Sequence, residues 1–217
     1  MPLSFDLYWS FRSPYCYLAL DRILAIHRDY DVAINVRPVY PMAIRSAEFF
    51  KHVNPLYRPY HTLDSHRVAE FLGVPFRRPL PDPVVMDMTT NAIAAEQPYV
   101  HRLTRLGQAA VEAGRGLEFL DKVSRILWDG SVDNWHLGDH LAKAMARAGL
   151  DAATLERDVA ADPAKYDRLI EANQRAQLAA GHWGVPLMAF AGEPFYGQDR
   201  VETLLWRMRQ KGLRRRR

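Results

Sequence analysis

The chain has 217 residues, 48% of them hydrophobic, with a formal charge of +4 and a single cysteine. That length permits one sizeable domain or two small ones around a real core, and one cysteine excludes an internal disulfide and any four-thiolate metal site, which fits a reducing compartment. Arg214 to Arg217 close the chain as four consecutive arginines and the balance without them is zero, so the basicity reads as a solvated tail and not as a nucleic-acid-binding face.

Leu3, Phe5, Leu7 and Trp9 alternate with Ser4, Asp6, Tyr8 and Ser10, the period of a half-buried strand. The period changes at Ser13-Pro14. Serine is a preferred helix cap, proline presets φ at the first helical position, and Cys16, Leu20, Ile23, Leu24 and His27 recur at helical spacing. A hydroxyl therefore stands at a helix start, where unpaired N–H groups and the helix dipole favour negative charge. Val32, Ile34 and Val36 predict a second strand closed by Pro38 and Pro41, which completes a right-handed βαβ unit.

Between about Pro41 and Gly181 no strand is convincing. Helices are predicted over 43–50, 60–72, 89–95, 98–113, 117–128, 137–148, 152–161 and 164–180, separated by turn or cap signals such as Gly73-Val74-Pro75, Asp129-Gly130 and Asp162-Pro163. Beyond Gly181 short strands at 187–190 and 194–196 flank a hairpin at Ala191-Gly192-Glu193. A last helix, about 200–210, carries Val201, Leu204, Leu205 and Met208 on one face. No run approaches the roughly 18 apolar residues of a membrane span, and no basic, apolar leader precedes the first strand, so the expectation is a cytoplasmic protein without a membrane partner.

Ser13-Pro14-Tyr15-Cys16 after a first strand resembles the active-site turn of the thioredoxin superfamily, Cys-Pro-x-Cys, with the first cysteine replaced by serine. With its flanks, Phe-x-Ser-Pro-Tyr-x-Tyr-Leu-Ala, it resembles the glutathione-dependent branch of the DsbA-like proteins, the 2-hydroxychromene-2-carboxylate isomerases and kappa-class glutathione transferases. Three further places carry the likeness: Val185-Pro186 before the third strand, Gly197-Gln198-Asp199-Arg200 before the last helix, and Asn54. One departure stands out. The family usually has a lysine a few residues before Tyr60, where this chain has Tyr57, Arg58 and Pro59, while Tyr60, Asp64 and Arg67 keep the family's spacing.

The resemblance implies an α/β thioredoxin-like fold with an all-helical domain inserted between its βαβ and ββα halves. Residues 1–40 and 181–213 would form the thioredoxin-like part, 41–180 the insert and 214–217 the basic tail. It implies glutathione as cofactor, with Ser13 bonded to its sulfur, Val185 and a cis Pro186 along its backbone, Asp199 and Arg200 at the γ-glutamyl end, and Asn54 at the glycyl end, where Arg58 could replace the missing lysine. Homodimers are common among these families, which leaves one open here. The implied activity is isomerisation of an unsaturated aromatic carboxylate; the alternatives are a kappa-like transferase or peroxidase and a non-catalytic peptide-binding scaffold. Fold alone does not choose among them.

The chemistry has a physical basis. A free thiol has a pKa of about 8.5 and attacks as thiolate. Lowering it by about two units takes about 2.7 kcal/mol; a hydrogen bond to a charged group supplies roughly 1.5–3 kcal/mol and a helix start roughly 0.3–2. Cys16, on the helix's apolar face, reads as a buried structural thiol and without a cysteine at position 13 cannot run a two-thiol cycle. Arg12 lies beside the sulfur site, where a substrate carboxylate is one partner for it and water the other. Tyr8, Trp9, Phe11 and Tyr15 could line an aromatic cleft, and Trp128, Trp135 and Trp183 read as core or pocket wall. His136 and His140 are spaced to share a helix face, but the glutamate a metalloprotease needs is absent between them, so no metal is expected.

Overall fold

A computed structural model describes residues 2–46, 48, 52–87, 89–90 and 92–216. The chain runs β1 (Leu3–Trp9), α1 (Pro14–Asp29), β2 (Val32–Pro38), α2 (Met42–Arg45), α3 (Tyr57–Leu72), α4 (Val100–Glu112), α5 (Gly116–Trp128), α6 (His140–Arg147), α7 (Ala152–Ala161), α8 (Pro163–Ala179), β3 (Leu187–Phe190), β4 (Glu193–Tyr196), a 3-10 turn (Gln198–Arg200) and α9 (Val201–Gln210). The four strands form one mixed sheet in the order β2-β1-β3-β4, with β1 parallel to β2 and antiparallel to β3. This is the thioredoxin-like fold of the DsbA type.

Alternation along β1 does what its pattern predicts, and more. Phe5, Leu7 and Trp9 enter a large core with α1, α4 and α5, while Tyr8 on the opposite face packs with Val39 and Leu187 against Ala176 and Ala180 of α8 and its end. The central strand is therefore covered on both faces. The same large core runs from Leu20 and Ile23 through Leu103 and Phe119 to Leu155 and Tyr166, so the helices of 41–180 share their apolar interior with the sheet. Ala191 and Gly192 join β3 to β4 with φ of 52° and 80°, the paired left-handed conformation of the tightest hairpin turn.

Three expected helices need correction. Where a helix is expected at 89–95, the described residues form a loop: Asp87 Oδ1 accepts from the N–H groups of Thr89 and Thr90, and Met86 bridges Ile93 as a short antiparallel contact. An aspartate that offers the backbone this alternative competes with a helix. The helix expected from residue 137 starts at His140, because Gly138 adopts φ 58°, so His136 and His140 do not share a helix face. Of the helix expected at 43–50, Met42–Arg45 is formed, and 47, 49 and 50 lie outside the described residues. The basic tail is exposed as expected from Arg214 to Arg216, although its backbone is docked: Arg214 O accepts from Asp31 N–H, Arg216 N–H donates to Asp29 O, and Arg215 lies over the Tyr30 ring; Arg217 lies outside the described residues.

Phe11 belongs to this core and not to a cleft. It is 2% exposed, meets Phe119 edge-on at 5.6 Å and closes over Gly107, whose missing Cβ would stand 2.7 Å from the Phe11 ring. Gly107→Ala is therefore expected to destabilise the protein by about 1–3 kcal/mol through overpacking. The fall in the urea midpoint at unchanged slope measures it.

Candidate active site

The site forms where β1 hands over to α1. Ser13 caps the helix: its Oγ accepts from Cys16 N–H at 3.3 Å and donates to the Val185 carbonyl at 3.5 Å. Pro14 lacks an N–H, and Tyr15 follows it in the first turn, so the hydroxyl faces the positive end of the helix dipole. The contact to Val185 is at the long limit of hydrogen bonding, and the hydroxyl can turn to a stronger acceptor. Val185–Pro186 is a cis peptide, in the isomer the resemblance implies.

Turn and cis-proline are coupled. Gly197 N–H donates to Pro186 O at 2.9 Å, and Gly197 has φ 109° with Asp199 Oδ1 only 2.5 Å from where a Cβ would be, so this corner demands glycine. Asp199 and Arg200, exposed and paired to each other at 3.0 Å, stand just beyond it. Arg22 of α1 reaches Gln198 Oε1 and Glu202, which ties the same turn to the Ser13 helix.

A cleft opens over Ser13 and Val185, with Tyr15, Trp128, Trp183 and Tyr196 among its walls and Arg12, Arg45, Arg58 and Arg78 among its polar groups. Tyr15 is held by its hydroxyl, which donates to Asp64 at 2.7 Å, and this gives the Tyr-x-x-x-Asp-x-x-Arg helix a supporting role. Arg12 donates to Asp82 at 2.8 Å, and Arg78 shares the same carboxylate. Burial works against the Asp82 charge, but Arg12 and Arg78 outweigh it and hold its pKa below the usual carboxylate value. His61 is pushed down by burial, with Arg78 and Arg12 adding to the effect, so it stands neutral at pH 7. Cations outnumber carboxylates at these walls, which favours an anionic ligand.

Of the residues expected at a site, the structure brings Ser13, Val185, Arg12, Tyr15 and Arg58 to one cleft, whereas Pro186, which is buried, and Asp199 and Arg200 are not among its lining residues. Asn54 does not line this cleft; it is exposed and its Oδ1 accepts from Leu56 N–H. Phe11, Tyr8 and Trp9 are buried in the core. Trp128 is pocket wall and core at once, its Nε1 donating to Phe11 O at 2.9 Å, while Trp135 is core. Arg45 and Asp82 were missed. Neither sits in a motif, and what marks them is a partner about a third or more of the chain away.

The family model of the DSBA-like thioredoxin domain matches residues 5–209. The chain belongs to that family. Solved structures similar to this DSBA-like chain include a 2-hydroxychromene-2-carboxylate isomerase at 21% identity and TM-score 0.71, covering 96% of this chain and 95% of that one. A probable DsbA oxidoreductase from Streptomyces coelicolor follows at 19% identity and TM-score 0.66, with 96% and 89% covered. A cytosolic disulfide reductase, DsbM from Pseudomonas aeruginosa with GSH, is 17% identical at TM-score 0.60, with 95% and 100% covered. No curated protein matches the chain significantly by sequence.

Against the Cys-Pro-x-Cys turn, this DSBA-like chain keeps one sulfur and hides it. Cys16 is fully buried, and burial pushes its pKa up to about 12 against the smaller opposing effects of Ser10 and Ser13. Among the described residues, no group of three His, Cys, Asp or Glu side chains could hold a metal, and no helix is long and apolar enough to cross a membrane. Iodoacetamide at pH 8 should leave Cys16 unmodified in the native protein and alkylate it rapidly in urea, as intact mass would record. Because the folded pKa lies above the unfolded one, the thiol's stabilising contribution is complete below about pH 8.5 and is lost as pH rises toward 12.

Proposed function

We propose that the protein is a glutathione-dependent isomerase acting on an unsaturated aromatic carboxylate, in the manner of 2-hydroxychromene-2-carboxylate isomerase. The observation that carries the reading is the Ser13 hydroxyl, capping α1 within 3.5 Å of the Val185 carbonyl, where the only cysteine of the chain cannot act. A site of this kind is suited to an external thiol.

The donors present fit glutathione. Ser13 would orient its sulfur, and the Val185 main chain beside Pro186 would pair with its peptide. The 197–200 turn, coupled to Pro186 through Gly197 N–H, offers Asp199 to an amine. Arg58 lies among the lining residues of the cleft and would meet a terminal carboxylate. When bound, glutathione supplies a thiolate that adds reversibly to a conjugated double bond and so allows rotation about it. The chain's own contribution is to stabilise negative charge at Ser13 Oγ and the first turn of α1, to close one side with Trp128 and Tyr15, and to keep His61 uncharged beside the arginines. The nearby DsbM structure with GSH supports the cofactor, and the isomerase of the same fold supports the reaction.

Ser13→Ala should slow turnover on a 2-hydroxychromene-2-carboxylate by about tenfold to a thousandfold, the equivalent of roughly 1.5–4 kcal/mol of lost stabilisation. Glutathione must be required and not consumed. Stoichiometric loss of glutathione would mark a transferase instead, and absence of saturable glutathione binding by calorimetry would leave a non-catalytic scaffold. Full activity of the Ser13 variant would remove Ser13 from the chemistry.

A further inference from the structure

His182 opens the segment that leads into Val185, and its ring is held by a hydrogen bond and by two neighbouring rings. Its Nδ1 accepts from Gly184 N–H at 2.9 Å, which requires the neutral imidazole with its proton on Nε2. The ring stacks on Tyr196 of β4, with centroids 3.9 Å apart at 18°, and on Trp183 at 5.4 Å and 19°. Nδ1 is bonded to Cγ, as the side-chain oxygen of an asparagine is, so the contact closes the ring of an Asx turn.

This turn is continuous with the wall that faces Ser13. Gly184 is buried, its carbonyl accepts from Gln177 Nε2 at 2.7 Å, and a Cβ on it would stand 2.3 Å from Tyr196 Cε2 and 3.0 Å from His182 Cε1. Next in the chain is Val185, whose carbonyl accepts from Ser13 Oγ. Protonation at Nδ1 replaces the acceptor by a second donor, and a buried backbone N–H then loses its partner. Nothing around the ring favours that proton. Burial lowers the His182 pKa, Gln177 and Trp183 carry no charge, the Tyr196 phenol is pushed up and stays neutral, and Arg45 donates to the Trp183 carbonyl. Among the described residues no carboxylate pairs with the imidazole.

We propose that neutral His182 is the positioning residue of the Val185 wall: through Gly184 N–H it sets the main chain that a bound ligand meets, and its protonation releases that main chain and weakens binding in acid. The proposal rests on the function proposed above only for the choice of glutathione as probe.

The test uses the full chain with two variants. His182→Asn keeps an acceptor for Gly184 N–H without a ring or a titrating group, and His182→Phe keeps a stacking ring without an acceptor. In the absence of ligand, NMR of the wild type should show the Gly184 amide losing its exchange protection as the His182 ring protonates, while the amide of the asparagine variant is the same at pH 7 and pH 5. At pH 7, calorimetry should find glutathione bound by the asparagine variant within about twofold of the wild type and by the phenylalanine variant about threefold to tenfold more weakly, the worth of one hydrogen bond. Between pH 7 and pH 5 the groups of glutathione itself do not titrate. Because the binding form is the neutral one, wild-type affinity should fall about threefold or more over that range, and that of the asparagine variant should not fall with it. His61, which lines the same cleft, is present in both proteins and cancels from the comparison. The proposal is overturned if the Gly184 amide does not follow ring protonation, if the asparagine variant shares the acid loss, or if it binds no better than the phenylalanine variant, which would make the ring a packing element. Should the phenylalanine variant not fold, the wild type and the asparagine variant decide by themselves. If glutathione binds none of the proteins while the amide follows the ring, the assignment of His182 stands and the glutathione reading falls.

Discussion

The pairing of β1 with β3 is the constraint from which the site follows. Tyr8 stands opposite Leu187 in an antiparallel register, so whatever follows β1 must lie beside whatever precedes β3. Ser13 and Val185 meet for that reason, although 172 residues separate them. Sliding the register by one residue would turn Phe5, Leu7 and Trp9 away from the large core, and because those side chains are among the most buried in the chain, the register is held by apolar burial far from the cleft. The helix start and the cis-proline thus inherit their precision from the sheet.

Electrostatics distinguish this cleft from a two-thiol centre. The helix start that would depress a thiol's pKa carries an alcohol, and the sulfur three residues on is placed where burial suppresses its ionisation. Positive charge is instead distributed over side chains from α2, α3 and the loop before α4, partly neutralised at Asp82. A residue such as Arg12, which borders the sulfur site, is already engaged by that carboxylate at 2.8 Å, whereas Arg45 meets oxygens without formal charge. The cleft therefore has a polarity: its charge is spent near Asp82 and unspent near Gln177.

Legibility from sequence follows the range of the interaction. β1 and the start of α1 were readable because alternation, a cap and a proline are local signals, and the hairpin at Ala191-Gly192 was readable because a tight turn needs few residues. The expected helix at 89–95 failed on an equally local effect, the Asp87 side chain capturing two backbone N–H groups, which periodicity does not register. Phe11 has neighbours in sequence that line the cleft, and only the contact with Phe119 and the gap at Gly107 show where its own ring goes. Arg45 and Asp82 had no signal at all, since their partners Gln177 and Arg12 lie 132 and 70 residues distant. The arginine tail is exposed as its composition implies, and what composition does not register is the pairing of its backbone with residues 29–31.

The interruption of the sheet by residues 41–180 has a consequence for synthesis. A ribosome delivers β1, α1 and β2 first, but β3 arrives only after all the intervening helices have left the exit tunnel. The nascent two-strand ribbon must wait with one edge of β1 uncovered, the arrangement most open to adhesion with other chains. Condensation of the helices onto Phe5 and Leu7 shortens the distance that the late strand has to find, because a folded spacer costs less to close than a slack one of the same length. The wall of the cleft that carries Val185 is thus made late, and a premature stop anywhere before Val185 leaves the Ser13 end of α1 without it.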